Sequence, residues 1–151
     1  MTHWYTGPNA DLVDEARTWL GVRWKHQGRD RSGVDCLGMA QQVAKACRGF
    51  DVDRTNYPKR GQGASFLAEL KAHLDRVSLD LIEPGDLIAM PYDGDLHVAI
   101  VSDHPLGPGV LSMIHAHARV QDRKVVEHRL DSVWMSKVSA AFRYPGAACH
   151  N

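Results

Sequence analysis

Residues 33–49 read Gly33-Val34-Asp35-Cys36-Leu37-Gly38-Met39-Ala40-Gln41-Gln42-Val43-Ala44-Lys45-Ala46-Cys47-Arg48-Gly49. Within them Cys36, Met39, Ala40, Val43, Ala46 and Cys47 recur at steps of three and four, the spacing that gathers side chains on one face of a helix. Asp35 is a suitable N-cap and Gly49 a suitable stop, so the spacing predicts a helix over 35–48 with Cys36 in its first turn. Gly38, in that same turn, is less favourable than alanine by about 1 kcal/mol, and its presence there predicts that another segment packs close by. A thiol at a helix start faces unpaired backbone N–H groups and the positive end of the dipole, both of which favour thiolate. The expectation is a Cys36 pKa below the ordinary ~8.5.

Working outward, residues 11–20 place Leu12, Val13, Ala16, Trp19 and Leu20 on one helical face, after the possible cap Asn9 and before the stop Gly21. Residues 23–33 are charged and without period, and predict a loop. After a turn-rich stretch over 50–63, Phe66, Leu67, Leu70, Leu74 and Val77 predict a third helix over 65–77. The second half changes character. Residues 87–90, 97–102, 110–118 and 139–144 are short apolar runs between Pro, Gly and Asp turns, which predict strands. Residues 119–121 and 125–127 flank 122–124 as a hairpin, and 131–137 predict a short helix. Helices first and a mostly antiparallel sheet afterwards predict an α+β fold, with the helices packed on one side and Cys36 where the layers meet.

The 151 residues fit one domain over 1–151, with a core of about 10–144. Eighteen basic residues balance eighteen acidic ones, and no basic stripe interleaves with aromatics, which argues against nucleic acid as a partner. No apolar run approaches the roughly 18 residues of a membrane span. Residues 1–8 lack the charged and apolar regions of a signal peptide, which predicts synthesis in the cytoplasm without one. Of three cysteines, an odd number without CxxC spacing, at least one must be free. Cys47 reads as a core thiol and Cys149 as incidental.

A nucleophilic thiol needs a base brought to it by folding. His97 follows the turn Asp93-Gly94-Asp95 and begins the apolar run Val98-Ala99-Ile100-Val101, which would hold its ring rigidly. His115 lies inside a second apolar run, where an unpaired ring nitrogen would cost about 1–3 kcal/mol and so needs a partner. Cys36, His97 and His115 are thus candidate nucleophile, base and orienting group. A competing reading takes His115 and His117 on one strand face, with His97 or His104, as metal ligands. No acidic or cysteine ligand at recognised spacing joins them, so no metal or other cofactor is expected. His117 is expected near the mouth of the site, and His3, His26, His73, His128 and His150 facing solvent.

The stretch Ala16-Arg17-Thr18-Trp19-Leu20-Gly21-Val22-Arg23-Trp24, with Gly33-Val34-Asp35-Cys36-Leu37-Gly38, resembles the opening helix and Asp-Cys-Ser-Gly motif of the NlpC and P-sixty superfamily of cysteine peptidases. Glu83-Pro84-Gly85-Asp86-Leu87 is similar to that family's Pro-Gly-Asp-Leu turn, His97-Val98-Ala99-Ile100 to its His-Val-Gly-Ile strand, and Ile114-His115-Ala116 to its third catalytic position. The resemblance spans roughly residues 10–118. It implies a papain-like α+β fold with Cys36 as nucleophile, His97 as base and His115 as orienting residue. It also implies cleavage of amide bonds in bacterial peptidoglycan stem peptides, often between D-glutamate and diaminopimelate.

Two departures from the family pattern carry information. Trp24 stands where many members have a tyrosine whose hydroxyl helps polarise the scissile carbonyl, and an indole N–H would donate from a different place. The backbone N–H of Cys36 is one candidate oxyanion donor, with His26 or Gln27 as another. Asp35 reads first as a cap and second as a binder of a stem-peptide amine. Leu37 in place of serine resembles the phage-tail branch, which with the missing signal peptide implies a virion tail or tail-tip component with other tail proteins as partners, or a component of a gene-transfer particle. The alternative implied by Trp24 is a structural tail-tip assembly protein that keeps the hydrolase fold with little or no turnover.

Overall fold

The computed structural model describes residues 3–49, 63–92, 95–118 and 123–145. The expected hairpin arm 119–121, the turn-rich stretch 50–62, Cys149 and His150 lie outside them. In chain order the elements are α1 (Ala10–Arg17), β1 (Arg29–Asp30), β2 (Gly33–Val34), α2 (Cys36–Arg48), α3 (Gly63–His73), β3 (Asp75–Val77), a 3-10 turn (Leu79–Leu81), β4 (Leu87–Tyr92), β5 (Asp95–Asp103), β6 (Leu111–Ala116), β7 (Val125–Arg129), α4 (Ser132–Met135) and β8 (Ala140–Arg143). Six strands form one sheet in the order β3-β8-β4-β5-β6-β7, with every neighbouring pair antiparallel.

The helix around Cys36 forms as its caps require. The Asp35 carboxylate accepts from the Gly38 N–H at 2.7 Å, and Gly49 closes the helix in the left-handed region at φ 68°. The close packing predicted at Gly38 is present, since a Cβ there would lie 2.1 Å from the Gly28 carbonyl oxygen. That contact seats the loop before α2 directly on its first turn. Within this loop, expected to be irregular, β1 and β2 pair as a two-residue hairpin.

Both sheet faces are buried. One carries Leu87, Ala89, Val98, Ile100, Ile114 and Phe142 against α1, α2 and Leu70 of α3. The other carries Ile88, Met90, Ala99, Val101 and Met113 beneath Trp134 and Met135 of α4. Burial of both faces explains why the strands read as continuous apolar runs rather than alternating ones. The expectation of helices on one side holds for α1 to α3, while α4 closes the second side.

Three boundaries differ from the sequence reading. α1 ends at Arg17 rather than Leu20, because residues 18–20 tighten into i→i−3 turns and Leu20 is left 41% exposed. Asn9 occupies the cap position without a side-chain cap bond, its side-chain oxygen Oδ1 accepting instead from Arg48 at 2.8 Å. α3 stops at His73, and residues 75–77 pair with β8 as an edge strand that buries Val77 on the second sheet face.

Two partly buried ionic clusters fix the sheet to its surroundings. Arg17 donates to Asp103 and to Glu127, each at 2.9 Å, and Ser102 Oγ donates to Glu127 at 2.7 Å, tying α1 to β5 and β7. Arg143 on β8 holds the buried Asp86 carboxylate at 2.8 and 2.9 Å. The turn entering β4 needs Gly85, which sits at φ 94° where a Cβ would lie 2.5 Å from that of Asn9.

Candidate active site

α2 points its N-terminus at β5. Cys36 is half-buried, and its sulfur accepts backbone hydrogen bonds from Val98 and from Leu37. The first is possible because β5 and β6 part company at this end: their ladder runs from Asp103↔Leu111 to Ile100↔Ile114 and stops there, while β6 continues to pair with β7 through Ala116. The opening beside Val98 is where the thiol enters the sheet. His97 is therefore the chain neighbour of the residue that contacts the sulfur.

His97 and His115 come together on the second sheet face. Nε2 of His97 lies 2.7 Å from Nδ1 of His115, with the rings edge to face at 74°. This contact uses Nε2 of His97, and the other ring nitrogen is Nδ1. His117, expected at the mouth, is buried beside both rings, its centroid 4.9 Å from that of His115 and 6.3 Å from that of His97. His104 lies beyond the far end of β5, where its Nδ1 accepts from the Leu106 N–H. Among the described residues no three His, Cys, Asp or Glu side chains are disposed to hold a metal ion.

The electrostatics reverse one expectation. Burial pushes the Cys36 thiol up to about 12, reinforced by the charges of Asp35 and Asp95, and outweighs the backbone hydrogen bonds that favour thiolate. Burial likewise pushes His97 down to about 3, with His117 adding to the effect. Burial, with the neighbouring His97, His128 and His117, holds His115 far below the ordinary imidazole range, and burial with His128 lowers His117. The helix start thus does not by itself give Cys36 a low pKa. With the thiol raised and the ring lowered, Cys36 and His97 rest as a neutral thiol and a neutral imidazole.

Asp35, Gln27 and Trp24 come from the segment leading into α2. Both Asp35 oxygens face inward: Oδ1 accepts from Gly38 and, at 3.3 Å, from Arg29, while Oδ2 accepts from the Gln27 N–H at 2.8 Å. Asp35 is buried, at 5% exposure. Gln27 sits at φ 60° with its backbone N–H committed to Asp35, so this N–H is no oxyanion donor. Trp24 packs, half-buried, on the same core cluster as Cys36, its backbone bridged to Val34 two residues before the thiol. Cys47 is a core thiol, with its sulfur 3.5 Å from the Asp11 carbonyl oxygen.

Sequence reasoning missed His128. Its Nε2 lies 2.8 Å from Nε2 of His115, although it was expected to face solvent. Only the β6–β7 register, which pairs Met113 with His128 and His115 with Val126, places it on the face of His115.

A helix-borne thiol set into an antiparallel sheet beside a paired histidine defines a thiol hydrolase fold of papain-like type. Residues 21–143 match the NlpC/P60 family, and the chain belongs to it. The murein DD-endopeptidase MepS/murein LD-carboxypeptidase of Escherichia coli K12 is 27% identical over 77 residues, a match covering 51% of this chain and 35% of that protein. The chain thus spans well under half of that relative. Among solved structures, the NlpC/p60 domain of the peptidoglycan hydrolase SagA is similar at 25% identity and TM-score 0.58, over 89% of this chain and 97% of that one. A Staphylococcus aureus protein of the NLP/P60 family, similar to a lipoprotein, shares the fold at 20% identity and TM-score 0.62, over 96% of this chain and 44% of that one.

Proposed function

We propose that the chain is a cysteine peptidase that hydrolyses amide bonds in the stem peptides of bacterial peptidoglycan. The observation that carries this reading is the 2.7 Å contact between His97 and His115 beside a thiol bonded to the next backbone N–H. In the proposed cycle His97 Nδ1 takes the Cys36 proton as sulfur attacks the stem-peptide carbonyl carbon. The C–N bond then breaks, with the proton passing from His97 to the leaving amine. Water, deprotonated by His97, attacks the thioester, and the acid leaves as the thiol is re-protonated. The Cys36 backbone N–H, which has no intrahelical acceptor at the first helical position, is the proposed oxyanion donor.

The finer reading is a cut between D-glutamate and diaminopimelate by a virion tail or tail-tip component made in the bacterial cytoplasm. Leu37 after the nucleophile supports the tail assignment. The E. coli relative is named for two other activities on the same polymer, so fragment masses decide the bond. A second reading, a tail-tip module that keeps the fold without turnover, draws on the thiol pushed up to about 12.

The test is digestion of purified sacculi with wild type and Cys36→Ala, with fragments identified by mass. The proposal expects fragments bearing a newly freed diaminopimelate amine from wild type and none from a folded Cys36→Ala. A folded wild type that releases nothing supports the structural reading instead.

A further inference from the structure

His115 is held from two sides. Its Nδ1 meets His97, and its Nε2 meets Nε2 of His128 at 2.8 Å. The other nitrogen of His128, Nδ1, lies 3.0 Å from the carbonyl oxygen of Arg129. Trp134 of α4 packs across the rings of His115 and His128, with centroids 5.4 and 5.1 Å away, and limits their rotation.

A carbonyl oxygen only accepts, so Nδ1 of His128 carries the hydrogen. In a neutral ring Nε2 of His128 is then bare and accepts, and His115 donates to it from Nε2. That leaves Nδ1 of His115 bare, so His97 donates to it from its own Nε2. The chain ends at His97 Nδ1, which is left with a lone pair. Burial keeps His97 and His115 neutral, as this sequence of bonds requires.

We infer that His128 is a positioning residue which, anchored on the Arg129 carbonyl, sets the tautomers of His115 and His97 so that His97 presents a bare Nδ1 to the Cys36 thiol. This role rests on the reading of His97 as base. It adds a fourth residue to the set recognised from sequence, and its logic is that of a buried group that selects a catalytic imidazole's tautomer.

The test combines ring 15N spectroscopy of the full chain near pH 7.5 with kinetics on sacculi. Long-range proton–nitrogen correlations are expected to show His128 protonated at Nδ1, with His115 and His97 protonated at Nε2. A wild-type His115 protonated at Nδ1 overturns the inference, and this measurement needs neither turnover nor a variant. His128→Phe removes the acceptor and is expected to mix the tautomers of His115 and to lower kcat about tenfold with KM unchanged. His128→Gln, whose amide oxygen can accept near the original Nε2 position, is expected to restore the Nε2–H tautomer and most of kcat. Equal kinetics and spectra for the two variants overturn it as well. If wild type proves inactive, the peptidase reading fails, while the spectra still decide the tautomer assignment.

Discussion

Lowering the pH from 7 to 5 is expected to remove about 2 kcal/mol of folding free energy through His97 alone. The ring titrates near 6.5 in the unfolded chain and at about 3 in the folded one. Between those values the unfolded chain binds a proton that the native state does not, so stability is full above pH 6.5 and falls as the pH drops toward 3. At pH 5 the gap is about 1.5 units at about 1.4 kcal/mol each. His115, shifted in the same direction chiefly by burial, adds to this loss, against a typical total of about 5–15 kcal/mol. Asp103, the buried carboxylate held low by Tyr5 and Arg17, contributes nothing here, because its loss begins only below the ordinary carboxylate range. Urea unfolding followed by tryptophan fluorescence at pH 7, 6 and 5 measures the loss, and the double variant His97→Gln/His115→Gln is expected to flatten it. Equal wild-type stability at pH 7 and 5, within about 0.5 kcal/mol, would refute the burial of two neutral rings.

Three further outcomes follow from particular contacts. Gly38→Ala places a methyl 2.1 Å from the Gly28 carbonyl oxygen, and overpacking of about 1–3 kcal/mol outweighs the ~1 kcal/mol gain in helix propensity; a raised melting temperature would contradict it. Arg17→Ala strips the cation from Asp103, whose side chain is 1% exposed, and is expected to destabilise by about 3–5 kcal/mol in urea titration. In the proposed cycle His97 accepts the Cys36 proton, so with His97→Ala iodoacetamide should label Cys36, a thiol pushed up to about 12, more slowly than in wild type at neutral pH; labelling at the wild-type rate would show that the thiolate forms without His97.

Legibility in the sequence tracked how local the deciding interaction is. α2 was readable because cap, apolar period and stop lie within fifteen residues and agree. Val77 fits both a helical face and a strand, and its deciding partner, Ala141 on β8, lies more than sixty residues away. The two-residue hairpin of β1 and β2 is too short to show a period. Leu12, Ala16 and Trp19 were recognisable as core, whereas Leu20 was not separable from them without knowing that the helix tightens after Arg17.

At the site, Cys36, His97 and His115 could be picked out because each interrupts or opens an apolar run. Their electrostatics could not be, because the helix-terminus effect was visible in the sequence and the opposing desolvation depends on what folds over the thiol. Asp35 reads as a cap, but the Gln27 and Arg29 donors that hold its carboxylate come from the tight turn before β1 and from the start of β1 itself. His128 was hidden by register, since a strand histidine shows its face only once its partner strand is fixed.

The most direct test of the central claim is the relation between residual peptidase activity and modification of Cys36, with the cysteines quantified separately by peptide mass mapping after graded alkylation. The account predicts that activity on sacculi falls in proportion to the fraction of Cys36 modified and reaches zero when that site is filled. Activity that persists with Cys36 fully alkylated would contradict it.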